Sequence, residues 1–209
     1  MSTDLPPDLP GAPPSRKGVQ RKAQVVDAAL RVIGREGVRG LSMRAVAAEA
    51  GVPLGTTTYY FADRDALVEA AFRCHAQRET ARVVAAVAAM GPDLSTADLA
   101  HRLADFVVAG LTEHRDLLRT EYEFLGEASR RSGLQGASSA FLQTLQLHLE
   151  ATVSALGSPT PRTDARLVLA VVAGLEVDLL VSPFHPATGR LVRATFDRLF
   201  AGLEAVWST

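Results

Sequence analysis

From about residue 19 to its end the chain repeats one pattern. Apolar residues recur three and four apart in successive runs, most opened by a capping residue and closed by glycine or proline. Val26, Ala29, Leu30 and Ile33 form the first such stripe, with Gly37 placed to terminate it. No sustained alternation of apolar and polar residues is bounded by hairpin turns, so strands have nowhere to form. The spacing predicts helices over Val19–Arg35, Met43–Ala50 and Pro53–Tyr60, then a long one from the cap Asp63 to about Met90, stopped by Gly91-Pro92. Further helices are expected from the cap Ser95 to Thr112, over His114–Arg130, over Ala140–Leu156, from Thr163 to Val181 and from Thr188 to about Val206. Arg131–Ser138, with its Gly and Ser content, reads as a loop. The expectation is an all-α fold of about nine helices.

Composition bounds what surrounds those helices. Five of the eleven prolines fall within the first 14 residues, among Gly and Ser, so residues 1–17 read as a disordered Pro-rich tail. That tail has no apolar stretch of the kind a secretory signal carries. The most apolar segment, Leu167–Val181, holds Glu176 and Asp178 and is short for a bilayer, so no membrane association is expected. The single cysteine, Cys74, rules out an internal disulfide and fits a reducing, cytoplasmic location. The net charge of -1 hides an asymmetry. Residues 15–64 carry nine cations (Arg16, Lys17, Arg21, Lys22, Arg31, Arg35, Arg39, Arg44, Arg64) against four acids, a local balance of +5. The remainder, 65–209, is mildly acidic. A basic N-terminal segment on an acidic body points towards a polyanion.

The segment Leu41–Leu67, LSMRAVAAEAGVPLGTTTYYFADRDAL, places two short helices around Ala50-Gly51-Val52. Gly51 permits the tight turn of a helix-turn-helix, Val46, Ala47, Val52 and Thr57 fill the angle, and alanines at 45, 47, 48 and 50 allow close approach. From about Val19 to Val68 the chain resembles the tetracycline-repressor (TetR) family. The resemblance is carried by Ala28-Ala29-Leu30, Ser42-Met43-Arg44 with Val46-Ala47, Ala50-Gly51-Val52, Gly55-Thr56, the aromatics Tyr59-Tyr60-Phe61, and Arg64-Asp65-Ala66-Leu67. The chain departs from the family at Thr57, usually Leu, at Thr58, often Tyr, at Tyr60, commonly His, and at Arg64, usually Lys.

The resemblance implies a DNA-binding domain over 18–64 and a helical effector-binding and dimerisation domain over 65–209. It implies a homodimeric transcriptional repressor, released from an inverted-repeat operator on double-stranded DNA by a small-molecule effector. Pro53, Leu54, Gly55 and Thr56 are then nearest the base edges. Leu54 and the Thr56 methyl suit thymine methyl groups, and the Thr56 hydroxyl suits either kind of base. Residues 52–60 hold no Arg, Lys, Asn or Gln, so backbone contacts carry much of the affinity. Candidates for those contacts are Ser42, Arg44, Thr58, Tyr59, Tyr60 and Arg64, with Arg16, Lys17, Arg21 and Lys22 reaching phosphates or a neighbouring minor groove.

In the body, Leu167–Leu180 is apolar almost all round and Val192, Phe196, Leu199, Phe200 and Leu203 form a seam. With Val168, Val172 and Leu179 they are the expected dimer interface, since the resemblance implies that these two helices pair with their symmetry mates. Candidate effector contacts are Phe106, Tyr122, Phe124, Leu125, Phe141, Leu145, His148, Leu175 and Glu176, with Glu121 as a second polar anchor. Glu176, an acid in an apolar run, wants a partner: Arg166, Arg190, an arginine at an interface, or a cationic ligand.

Two rival readings are a small helical enzyme and a helical adaptor acting through protein partners. Against the enzyme, no two of the five histidines sit four apart, no P-loop or G-x-S-x-G occurs, and neither a metal nor a cofactor is implied. Against the adaptor stand the basic balance and the Gly51/Gly55 pattern.

Overall fold

In the computed structural model, which describes residues 16–89, 91 and 94–208, every regular element is a helix. They are α1 (Arg16–Gly40), α2 (Met43–Ala50), α3 (Leu54–Tyr60), α4 (Arg64–Ala88), α5 (Thr96–Thr112), α6 (Arg115–Ala128), α7 (Ser132–Ala155), α8 (Pro161–Leu180) and α9 (Pro186–Trp207). Caps fix many of these ends. The Ser42 hydroxyl accepts from the Ala45 N–H, the Asp63 carboxylate accepts from the Ala66 N–H at 2.8 Å, and Ser95 and Asp98 close a reciprocal capping box.

Several boundaries differ from the sequence expectation. Helix α1 begins at Arg16, so Arg16 and Lys17 are helical, while residues 1–15 of the expected tail lie outside the described residues. Gly37 breaks α1 at φ 71°, ψ 171°, and a last turn resumes to Gly40. Pro53 caps α3 rather than opening it, and α4 ends at Ala88, short of Met90 and Pro92, which also lie outside the described residues. The expected loop at Arg131–Ser138 is the start of α7. Leu134, Ser138 and Phe141 are buried at helical spacing, so tertiary packing overrides the weak propensity of Gly133 and Gly136.

Two apolar clusters organise these helices. The first gathers α1, α2 and the start of α4 around Val25, Ile33, Val46, Leu67 and Phe72, and takes in Phe124 and Ala128 of α6 and Leu134 of α7. The second joins α5 to α7, α8 and α9 around Leu99, Val107, Val153, Val168, Phe196 and Phe200, and takes in Leu118 of α6. Helix α6 therefore serves both clusters. Its C-terminus is also tied to α4, because Arg131 bonds both Glu127, at 2.9 Å, and Asp65.

The expected dimer seam is largely this protomer's own core. Val168, Val192 and Phe196 are fully buried, Val172, Phe200 and Leu203 nearly so, and Leu179 and Leu199 are half-buried. The stripe at 3–4 spacing is real, but α5 and α7 cover it. Away from that stripe, Leu167 and Val177 of α8 and Leu191 of α9 are exposed, and Val181 and Val206 are exposed at the C-terminal ends of the two helices.

Candidate functional site

The helix-turn-helix is built on Gly51. Its left-handed backbone (φ 64°, ψ 35°) ends α2 and turns the chain within three residues into α3. Val46, Ala47, Ala50 and Val52 are buried in that angle, as is Thr57, whose hydroxyl folds back onto the Leu54 carbonyl at 2.8 Å. Burying the inner side of α3 leaves Pro53, Leu54, Gly55, Thr58 and Tyr59 exposed, with Thr56 half-buried. Leu54 is 43% and Tyr59 67% accessible, unusual exposure for side chains with so much apolar surface. Tyr60 is half-buried, its ring edge-on to Tyr59 at 5.0 Å, and Phe61 belongs to the core. Ser42 and Arg44 lie exposed at the start of α2.

The cations of this segment divide into two groups. Arg31 and Arg35 both bond Glu49, at 2.6 and 2.7 Å, and together they hold its carboxyl below the usual range. Arg64 is turned inward: Nε donates to the Leu41 carbonyl at 2.8 Å, and a terminal nitrogen bonds the Val38 carbonyl. It clamps the α1–α2 connection, a structural task the sequence reading did not give it. Arg16, Lys17, Arg21, Lys22, Arg39 and Arg44 remain exposed. Lys22 lies over the Phe61 ring at 5.5 Å, and Gln24 ties α1 to the Ala50 carbonyl at 2.8 Å.

A cavity of about 120 Å³ lies among α4, α5, α6, α7 and α8. Its walls include Leu99, Leu103, Phe106, Leu118, Phe141, Leu145, Leu169 and Val172, and its polar lining is Glu79, Arg82, Glu121, His148, Thr152 and Glu176. Of the expected effector contacts, Phe106, Phe141, Leu145, His148 and Glu176 line it, as does Glu121. Tyr122 lies behind Glu176 and donates its hydroxyl to it at 2.8 Å. Phe124 is not in the cavity but in the first cluster, against Phe72 and His75, and Leu125 and Leu175 are not among the lining residues. Sequence reasoning missed Glu79 and Arg82. The signal was their i, i+3 spacing on a face of α4 that otherwise turns towards apolar helices.

Among the described residues no cation pairs with Glu176, neither Arg166 nor Arg190, and the Tyr122 hydroxyl is its bonded partner. Burial, with Glu121 adding repulsion, pushes the Glu176 carboxyl up to about 7, against the partial counterweight of Tyr122. The Tyr122 phenol is itself shifted upward by burial and by the neighbouring carboxylates, so it stays a donor.

The sequence profile described as "Bacterial regulatory proteins, tetR family" matches residues 25–71, and "Tetracyclin repressor-like, C-terminal domain" matches residues 94–202. The chain belongs to the tetracycline-repressor family. It is similar to the HTH-type nicotine-responsive transcriptional repressor HdnoR of Paenarthrobacter nicotinovorans, 26% identical over 87% of this chain and 96% of that protein. The multidrug binding protein EbrR, solved in complex with imidazole, is 36% identical with a TM-score of 0.67, covering 93% of this chain and 97% of that one. A TetR-family member from Streptomyces coelicolor A3 is 35% identical with a TM-score of 0.65, covering 86% and 98%.

A member of the TetR family is a DNA-binding, ligand-responsive regulator of transcription, and the family is one of regulators rather than enzymes. The profile match to residues 25–71 takes in the whole helix-turn-helix and the part of α4 that packs on it. No helix among the described residues is long and apolar enough to cross a membrane.

Proposed function

We propose that this TetR-family chain is a homodimeric repressor that reads an inverted-repeat operator with α2 and α3 and releases it when a small molecule fills the α4–α8 cavity. The observation that carries the reading is the outward face of α3. A helix whose buried side is held by Gly51 and Thr57 presents Pro53, Leu54, Gly55, Thr58 and Tyr59 to solvent, with Ser42 and Arg44 beside them. An α-helix fits the major groove, where Leu54 and Thr56 meet thymine methyl groups while hydroxyls and Arg44 hold phosphates. Arg16, Lys17, Arg21 and Lys22 extend the basic surface along α1. The reading unit of this proposal is residues 18–64 and the regulatory unit 65–209.

One reading head offers little affinity, so two must be held about 34 Å or a multiple of it apart. The surface proposed to do this is the exposed side of α8 and α9, where Leu167, Val177 and Leu191 stand uncovered. Ala170, Gly174, Ala194 and Gly202 lie exposed on the same helices and permit close approach of helix to helix. A small-molecule effector is supported by the nicotine-responsive and multidrug binding relatives and by an apolar cavity with a few convergent polar groups.

Selection of purified protein against random DNA duplexes tests this. The expected result is enrichment of one inverted repeat, bound by two protomers with affinity that falls steeply with salt. Weak, sequence-blind binding at low salt would contradict it.

A further inference from the structure

The cavity holds more negative charge than its own cations balance. Glu79, Glu121 and Glu176 line it, and Glu79 and Glu176 are 6% and 4% exposed. Arg82 neutralises one of them: two of its nitrogens reach a Glu79 carboxylate oxygen at 2.9 and 2.6 Å, and its guanidinium lies over the Phe106 ring at 4.3 Å. A cation between a carboxylate and an aromatic face is thus already realised at this wall. Glu121 and Glu176 have no such partner among the described residues. Glu121 has the His75 ring nitrogen at 3.9 Å, itself buried and without a hydrogen-bond partner, and Glu176 has the neutral Tyr122 hydroxyl as its hydrogen-bond partner, with Arg82 attracting it without forming an ion pair.

We infer that the cavity takes a small apolar monocation, an alkyl- or arylammonium of about one ring, seated between Glu176 and Glu121 and against Phe106. This rests on the cavity being the effector site. Its size sets the ring count: about 120 Å³ is close to the apolar void of about 150 Å³ that accepts benzene. Its chemistry sets the charge. A buried carboxylate lacking a counter-ion gains most from a weakly hydrated organic cation, and the aromatic wall adds a cation–π contact.

Binding is then coupled to a proton. The ligand selects ionised Glu176, so below neutrality a proton must leave as the cation enters. The charged or titratable groups facing Glu176 are Glu121 and Tyr122 on α6, Glu79 and Arg82 on α4 and, across the cavity, His148 on α7.

The test compares phenyltrimethylammonium with its uncharged isostere tert-butylbenzene, by ligand-detected NMR and calorimetry on the full chain. The cation is expected to bind at least tenfold tighter at pH 8, and about tenfold tighter at pH 8 than at pH 6. Glu176→Gln is expected to lose most of that preference while keeping tert-butylbenzene, and to flatten the pH dependence. Should that variant fail to fold, Glu121→Gln is expected to show a smaller loss in the same direction. Equal or tighter binding of tert-butylbenzene to the natural chain overturns the charge assignment and leaves the cavity as the effector site. Failure of both compounds to bind overturns the cavity reading itself.

Discussion

The Glu123 carboxylate accepts a hydrogen bond from the backbone N–H of Val38 at 3.2 Å, one residue past the break at Gly37. Glu123 follows Glu121, which lines the cavity, and Tyr122, which bonds Glu176, so three successive residues of α6 reach the cavity, Glu176 and the end of α1. Any side chain at Gly37 would meet that carboxylate at 3.0 Å, and the positive φ adds strain of its own. Replacing Glu123 with Ala orphans a buried N–H and is expected to lower stability by about 1–3 kcal/mol. It is also expected to reduce the loss of operator affinity caused by ligand, while ligand affinity stays unchanged. Paired ligand and operator titrations measure both.

Arg44 and Arg64 separate contact from scaffold. Arg44→Ala is expected to weaken binding to all duplexes alike and to lower the salt slope by about one, with stability unchanged. Arg64→Ala strips the clamp from the Val38 and Leu41 carbonyls and is expected to lower the stability of the reading head by about 1–3 kcal/mol. Thermal denaturation distinguishes the two.

The faces of α8 and α9 make opposite forecasts. Val177→Arg with Leu191→Arg, on the exposed side, is expected to give a folded monomer with poor operator affinity. Phe196→Ala, in the core, is expected to cost about 3–5 kcal/mol of stability. Sedimentation and chemical denaturation read these out.

Glu176 makes stability depend on pH. Its carboxyl sits at about 7 in the fold against an ordinary 4.5, so the folded chain holds a proton that the unfolded chain has released. The contribution of this group to stability is therefore greatest below 4.5 and falls as pH rises towards 7, by up to about 3 kcal/mol. Glu176→Gln is expected to remove that slope in urea titrations across the window.

How much of this was legible in the sequence follows from how local each signal is. Ser42, Gly51, Asp63 and Ser95 act within their own turns, and the helix ends they fix agree with the sequence reading to within a residue or so. Helical spacing also groups Val192, Phe196 and Phe200 into one stripe. Periodicity does not say whether a stripe is covered by the same chain or by another copy, and α8 is apolar on both sides. Hence the sequence pattern points the seam outward, while α5 and α7 cover it. Arg64 read as a free cation because its acceptors, two carbonyls more than twenty residues away, leave no sequence mark. The cavity's residues come from five helices. Its aromatic and acidic members were partly foreseeable, while the pairing of Glu79 with Arg82 against Phe106 appears only once those helices pack.

Control of DNA reading by occupancy of the cavity is tested most directly on the selected operator. Its affinity for the full chain is measured by fluorescence anisotropy with and without saturating phenyltrimethylammonium, alongside a scrambled duplex. The account predicts that ligand weakens the operator at least tenfold and leaves the scrambled duplex, already weak, nearly unchanged. Operator affinity that holds constant while calorimetry shows the cavity filled would contradict it.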